Sequence, residues 1–219
     1  MKILCISSSN VQHKRDSSAS MKTCQIIERI IEEKSAAKID SETIALLDFS
    51  FTPCIFCGKC VENSKCAYDE EFNAIYSKIE NSDGIIVVVP HYAIIPTKLT
   101  MMMEKLNQIY YTAWIRDPNA KFALAGKRVA IIGHGGSDER SFAHYQEYLI
   151  KPLNYLFGSL QFQVIGIEDQ TPKGVVFGVT GMNETEESIF PDMVHDWDDI
   201  EERITPLVLA IIDHHREAS

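Results

Sequence analysis

Four of the six cysteines of this chain fall within one short stretch: Cys54, Cys57, Cys60 and Cys66, spaced C-x2-C-x2-C-x5-C. Thiolates three residues apart in a loop can wrap one side of a small inorganic core, and a fourth can close it. Gly58, between the second and third sulfurs, tolerates the positive φ of a tight turn. Three readings stay open for these residues. The compact run suits a cubane iron–sulfur cluster, whereas structural zinc usually draws on two separated pairs of ligands. The third reading is a loop of thiols without metal. The opening Met1-Lys2-Ile3-Leu4-Cys5-Ile6 is too short an apolar run for a secretory leader, and cytosolic thiols are kept reduced. Cys5 and Cys24 stand alone on apolar periodic segments and read as small buried hydrophobes.

Three further stretches carry candidate binding chemistry. In the first, Ser7, Ser8, Ser9, Ser17, Ser18 and Ser20 surround His13, Lys14 and Arg15. Hydroxyls and free backbone N–H groups ahead of a helix can hold a phosphate monoester. Neither G-x-x-x-x-G-K-[ST] nor G-x-G-x-x-G follows the first apolar run, so a mononucleotide with one terminal phosphate fits better than ATP or a Rossmann-bound dinucleotide. The second stretch is Pro90-His91-Tyr92. Tyr92 offers a ring to border a flat heterocycle or to pack in the core. His91 offers a hydrogen bond to a ring oxygen or a structural contact. The third is Gly133-His134-Gly135-Gly136-Ser137, where little side-chain bulk lets backbone N–H groups approach a ring carbonyl or ring nitrogen. His134 has no carboxylate partner in sequence and is not read as a base. No Ser-His-Asp set and no carboxylate pair stands out.

The elements that must position these residues alternate. Lys2–Ser7 reads as a buried parallel strand, and Met21, Ile26, Ile27, Ile30 and Ile31 follow at helical spacing. A second strand is expected over residues 39–47, then the cysteine loop. A helix follows with Asp69, Glu70 and Glu71 at its start, where the dipole favours carboxylates. The β-branched run at 85–89 has the character of a central strand. A helix is expected over 97–110, a fourth strand over 127–132, a helix over 140–157, a fifth strand over 162–167 and a last helix over 197–216. Strand and helix in alternation imply an α/β fold. The expectation is a flavodoxin-like three-layer sandwich, a five-stranded parallel sheet in order 2-1-3-4-5 with helices on both faces. In that arrangement ligands sit at the carboxyl ends of strands one and three, and all three stretches lie there.

The 219 residues are 45% hydrophobic and 24% charged, as in ordinary globular proteins. No run reaches the roughly 20 apolar residues that cross a bilayer, so no membrane partner is expected. The net charge of −10 argues against nucleic acid as a partner. Nine acidic side chains and no Lys or Arg lie between Gly174 and Glu202, a solvated face or a docking surface for a basic partner. Without a low-complexity linker or an internal repeat, residues 1–219 read as one domain, with the cysteine-rich loop at 53–66 and the acidic segment at 174–202.

These residues resemble the flavodoxin-like NAD(P)H-dependent FMN reductase family and, within it, the iron–sulfur flavoproteins. The resemblance runs from Met1 to about Ile167 and weakly through 174–178. Ile6-Ser7-Ser8-Ser9-Asn10 corresponds to the family's "GSPR" phosphate loop, and Ser18-Ala19-Ser20 to its "S-N-T" element. Ser8 and Asn10 replace the Gly and Pro of that loop, and His13-Lys14-Arg15-Asp16 lengthens it. The cysteine run with Asp69-Glu70-Glu71-Phe72 matches the family's "C-x-x-C-x-x-C…C…DD" segment. Pro90-His91-Tyr92 matches "P-V-Y", and Pro96-Thr97-Lys98-Leu99 matches "P-A-K-L", with Glu104-Lys105 in place of a later Asp-Arg. The resemblance implies an FMN-dependent oxidoreductase. Ser7, Ser9, Asn10, Ser18, Ala19 and Ser20 would hold the FMN phosphate. Pro90, His91, Tyr92, Ala93 and Ile94 would line the isoalloxazine, and Gly133, His134, Gly135 and Gly136 its pyrimidine side. Cys54, Cys57, Cys60 and Cys66 would ligate a [4Fe–4S] cluster. NAD(P)H is the implied electron donor, with a small-molecule or protein donor or acceptor beyond it, in a cytoplasmic homodimer or homotetramer. The alternative is a cluster-free NAD(P)H-dependent FMN or quinone reductase. A protein that keeps the fold as a binding scaffold, without flavin, is a third possibility of another class.

Overall fold

The structure, a computed structural model, describes all residues except 36, 37, 93, 120, 168, 185–190, 218 and 219, and no side chain at 13 or 214–217. In chain order the elements are β1 (Lys2–Ser7), α1 (Ala19–Lys34), β2 (Asp40–Ala45), α2 (Glu70–Glu80), β3 (Gly84–Pro90), α3 (Thr97–Arg116) and β4 (Arg128–His134). There follow α4 (Phe142–Tyr145), a π-helical turn (Gln146–Ile150), α5 (Lys151–Ser159), β5 (Gln163–Val164), β6 (Val175–Phe177), β7 (Gly181–Asn183), β8 (Asp192–Val194) and α6 (Trp197–Glu217). The main sheet is parallel in order β2-β1-β3-β4-β5, as the alternation of elements predicts, and β6 also pairs with β4.

Each central strand sends alternate residues to opposite faces. Leu4, Ile6, Ile85, Val87, Val89, Val129 and Ile131 join a core against α2, α3 and α5. Ile3, Cys5, Ile86, Val88, Ala130 and Ile132 join a second core against α1 and α6. Both cysteines expected inside, Cys5 and Cys24, are fully buried there. Both faces being covered explains why the strands read as unbroken apolar runs rather than alternating ones.

Three boundaries differ from the expectation, each for a local reason. The chain after β2 closes into a 3₁₀ turn at Leu46–Asp48, so the strand ends before the apolar residues do. The Lys98 Nζ accounts for that turn: it donates to the carbonyl oxygens of Leu46 (3.1 Å), Leu47 (3.3 Å) and Phe49. Helix α3 runs past Tyr110 to Arg116, whose guanidinium donates to the Val61 carbonyl at 3.0 Å and so ties the helix end to the cysteine loop. The fifth strand is split. Gln163–Val164 pairs with Arg128–Val129, and Val175–Phe177 pairs with Ile132–His134. The helix before it carries the π turn, which packs Leu149 and Ile150 so closely on Gly133 that an added Cβ would sit 2.9 Å and 3.0 Å from them.

Candidate functional site

The carboxyl ends of β1, β3 and β4 bring the three binding stretches together, and hydrogen bonds tie them in pairs. Ser9 Oγ on the first lies 3.2 Å from the Tyr92 hydroxyl on the second. The His91 N–H donates to the His134 carbonyl at 2.6 Å, joining the second to the third. Ser20 Oγ in the first turn of α1 lies 2.7 Å from His134 Nε2, joining the first to the third.

The first stretch has the form of an anion cradle. Ser18 caps α1, its Oγ accepting from the Met21 N–H at 3.3 Å. Residues 12–17 form a 3₁₀ turn, so the longer loop folds on itself. Ser8 is locked to β3, with both its N–H and its hydroxyl donating to the Val88 carbonyl at 3.0 Å. Ser7, 1% exposed at the carboxyl end of β1, has a buried Oγ with no hydrogen-bond partner among the described residues. A buried polar atom so placed asks for a ligand group, because leaving it bare costs on the order of 1–3 kcal/mol. Asn10 is exposed at the rim, and Ala19 is half-buried in the first turn of α1. The two cations of the loop turn outward: Lys14 pairs with Asp192 on β8 at 2.6 Å, and Arg15 with Asp48 at 2.7 Å. Backbone N–H groups and hydroxyls are therefore what this loop offers an anion.

On the second stretch Pro90 is buried at the strand end, Tyr92 is half-exposed, and Ile94 is exposed at φ 86°. Ala93 lies outside the described residues. The His91 ring rests against His144 and Tyr145, both at 5.2 Å. Burial, with His144 nearby, pushes its pKa below the ordinary histidine value, and its Nε2 is buried without a partner among the described residues. On the third stretch His134 is 8% exposed and stacks on Phe177 with ring centroids 5.0 Å apart. Burial, with His195 nearby, pushes its pKa down to about 3, so it stands neutral in the fold. Gly135 is required by Tyr145: a Cβ there would lie 2.3 Å from the Tyr145 hydroxyl, which accepts from the Ser137 N–H at 3.0 Å. Gly136 faces Met193 of β8. Gly133 faces the π turn, so its lack of a side chain serves packing inside the fold. Sequence reasoning gave no role to Tyr145, within the helix expected over 140–157, or to Phe177, within the weakly matching 174–178, yet both support the glycine stretch.

The cysteine stretch lies on the α2 and α3 side of the sheet. Cys54, Cys57, Cys60 and Cys66 all line one pocket, whose wall is completed by Phe72, Lys105 and Ile109. None of the four is in a disulfide. Gly58 adopts φ 70°, the left-handed turn its position calls for. Two of the sulfurs are anchored. Cys60 is buried, with its Sγ 3.4 Å from Thr112 Oγ1. Cys66 is held by α2, where Asn73 accepts from its N–H and donates to its carbonyl, both at 2.8 Å. Cys54 and Cys57 sit on the more exposed limb. Among the described residues no three His, Cys, Asp or Glu side chains form a group spaced to hold a metal ion, so the four sulfurs share a pocket without being preassembled. No described helix is long and apolar enough to cross a membrane.

An anion cradle, an aromatic-flanked strand end and a glycine turn at the switch point of a 2-1-3-4-5 sheet define a flavodoxin-like mononucleotide-binding protein. The family model for NADPH-dependent FMN reductase matches residues 1–180, and the chain belongs to that family. Among curated proteins it is similar to an iron–sulfur flavoprotein of Methanosarcina thermophila, 29% identical over 114 residues, covering 52% of this chain and 56% of that one. It is also similar to an iron–sulfur flavoprotein of Methanocaldococcus jannaschii, 27% identical over 145 residues, covering 66% of this chain and 67% of that one. The chain thus spans little more than half the length of the first relative and two thirds of the second. Among solved structures it resembles a flavone reductase (TM-score 0.61, 14% identity, 98% of this chain and 64% of that one). It also resembles an FMN-dependent NADH-azoreductase of Bacillus anthracis (TM-score 0.54, 16% identity, 100% of both chains). At these identities the solved structures speak for the fold alone.

Proposed function

We propose that this chain works as an iron–sulfur flavoprotein, passing electrons between a [4Fe–4S] cluster, FMN and an external donor or acceptor. NAD(P)H is the donor that the family implies. The observation that carries the reading is the single pocket shared by Cys54, Cys57, Cys60 and Cys66. The names of the two curated relatives support it. When bound, the flavin supplies one- and two-electron chemistry and the cluster supplies single electrons.

The chain's own part is binding and positioning. Ser7, Ser9, Asn10, Ser18, Ala19 and Ser20 hold the FMN phosphate, and the bare Ser7 Oγ is the donor that most needs it. Pro90, His91, Tyr92 and Ile94 border the isoalloxazine, with Ala93 of the same stretch. The N–H groups of Gly135 and Gly136 meet the ring's pyrimidine side, while Gly133 and His134 fix that turn from below. The four cysteines hold the cluster, with Cys60 and Cys66 as the fixed pair and Cys54 and Cys57 closing on it. The assembly is a homodimer or homotetramer of a cytoplasmic protein.

A second reading, a cluster-free NAD(P)H-dependent FMN or quinone reductase, is favoured by one observation: the sulfurs are not gathered into a metal-holding group. An ultraviolet–visible spectrum with iron and FMN quantification, on protein purified without oxygen, separates the two. Flavin bands with about four irons per chain are expected. Flavin without iron would shift the assignment to the reductase, and neither would leave the chain with its fold and no cofactor.

A further inference from the structure

Lysine is rarely buried, yet the Lys105 side chain is only 5% exposed, on the face of α3 that walls the cysteine pocket. Its Nζ lies 3.1 Å from Asp69 Oδ2 and 3.5 Å from Cys66 Sγ, with the Phe72 ring centroid 5.5 Å away. The Asp69 side chain is equally buried and its other bonds are already made. It caps α2 by accepting from the Phe72 N–H at 3.0 Å, and it accepts from the Thr52 N–H at 2.9 Å. Those two donors would satisfy the carboxylate at a helix start without any lysine. A buried ion pair gains little stability over apolar side chains of the same size. Stability therefore does not explain the ammonium, and its position against a sulfur does.

We infer that Lys105 tunes the redox centre held by the cysteines, donating a hydrogen bond to Cys66 Sγ and placing a fixed cation beside it so that the reduced form is favoured. The inference rests on the iron–sulfur reading of the same pocket. Reduction adds one negative charge to a set of thiolate-bound irons, and hydrogen bonds to the sulfurs and nearby charge are the protein's means of shifting that equilibrium. The charge acts over a short distance inside an apolar wall, where screening by water is weak. Cys66 is also the sulfur best placed to feel it, because the two Asn73 bonds fix its backbone. Lys105 is a positioning residue: it touches a ligand sulfur, not the transferred electron.

The test is a dye-mediated redox titration, read by the visible bands and by electron paramagnetic resonance, on anaerobically purified wild type and three variants. Lys105→Gln keeps a donor for Asp69 and removes the charge, so the midpoint should move to a more negative potential. Lys105→Arg should stay near wild type. Asp69→Asn keeps the cap acceptor and leaves the ammonium unopposed, so its midpoint should move the other way. Opposite shifts from the two partners are what a merely structural pair would not give. Should Lys105→Gln fail to fold, Asp69→Asn still decides. Full iron content with an unmoved midpoint in these variants overturns the inference alone. A wild type without iron overturns the cluster reading and the inference together.

Discussion

Ser20 and His134, 114 positions apart in sequence, share a buried hydrogen bond beside the serine-rich loop after β1. The imidazole carries a stability signature. Its folded pKa, about 3, lies below the ordinary 6.5 because burial disfavours the cation. Between those values the unfolded chain binds a proton that the folded chain refuses, so stability falls as pH drops from about 6.5 toward 3. The slope from this one group approaches about 1.4 kcal/mol per pH unit. Urea unfolding midpoints measured from pH 7 to 4.5 should therefore fall less steeply in His134→Gln than in wild type. Identical slopes would mean that His134 takes up its proton in the fold. The neighbouring Gly135 makes a steric prediction. Gly135→Ala puts a methyl against the Tyr145 hydroxyl and should cost roughly 1–3 kcal/mol, with weaker FMN retention. Gly135→Ala and Tyr145→Ala together should cost less than the sum of the two alone, since the second removes the clashing ring, although it also opens a buried cavity and strips the Ser137 N–H of its acceptor.

At the level of elements, Lys98 does what no strand or helix signal announces. Three carbonyl oxygens after β2 converge on its ammonium, fixing where the chain leaves the sheet and enters the cysteine stretch. Lys98→Met keeps the stem and removes the donors, so a loss of about 2–3 kcal/mol is expected in denaturant unfolding. Faster thiol modification of Cys54 and Cys57 should accompany it as the loop loosens. A variant as stable as wild type would place the turn under other control. The same comparison explains what was legible in the sequence. The buried runs of β1, β3 and β4, the helical stripes of α1 and α2, and the loops between them were readable because burial on two faces and 3.6-residue spacing leave marks on a single segment. The split of the fifth strand was not. Val164 and Val175 both look like strand residues, and only pairing with opposite ends of β4 decides that they form two short segments. The packing roles of Lys98 and Phe177, both within segments quoted for the resemblance, were missed for the same reason. Each is defined by what it touches across the fold, and one segment's pattern holds no record of that. The candidate site fared likewise: its serines, its glycine turn and its cysteines were visible as types, but the Ser20–His134 bond and the Lys105–Cys66 contact were not.

Over the whole molecule, charged and apolar side chains share the surface. The acidic segment carries several surface ion pairs. Asp192 pairs with Lys14, Asp199 with Arg203 and Glu201 with Arg29, while Glu186 and Glu187 lie outside the described residues. These are exposed pairs and carry little stability each. Exposed apolar side chains occur on that segment too, at Met182, Met193 and Val194, and a further group lies at the cysteine loop. Ile55 and Phe56 on the cysteine loop are 71% and 67% exposed, and Tyr111, Trp114 and Ile115 are each about half exposed at the end of α3 that Arg116 ties to that loop. Tyr111 and Trp114 stack on each other with centroids 6.1 Å apart, whereas Tyr110 turns inward onto Phe122. Clustered aromatic side chains left in water beside the cysteine loop are read as an association surface. Self-association through it accords with the proposed homo-oligomer. The expected outcome is a mass of at least twice 24.7 kDa by sedimentation equilibrium for the wild type. Trp114→Glu and Phe56→Glu should each shift the population toward monomer without lowering the unfolding midpoint, because neither side chain is in the core. Oligomers that persist at micromolar concentration in the double variant would move the interface off this patch. A wild type that runs as a monomer with this surface bare would instead assign it to a different protein, one able to exchange electrons at the cysteine loop.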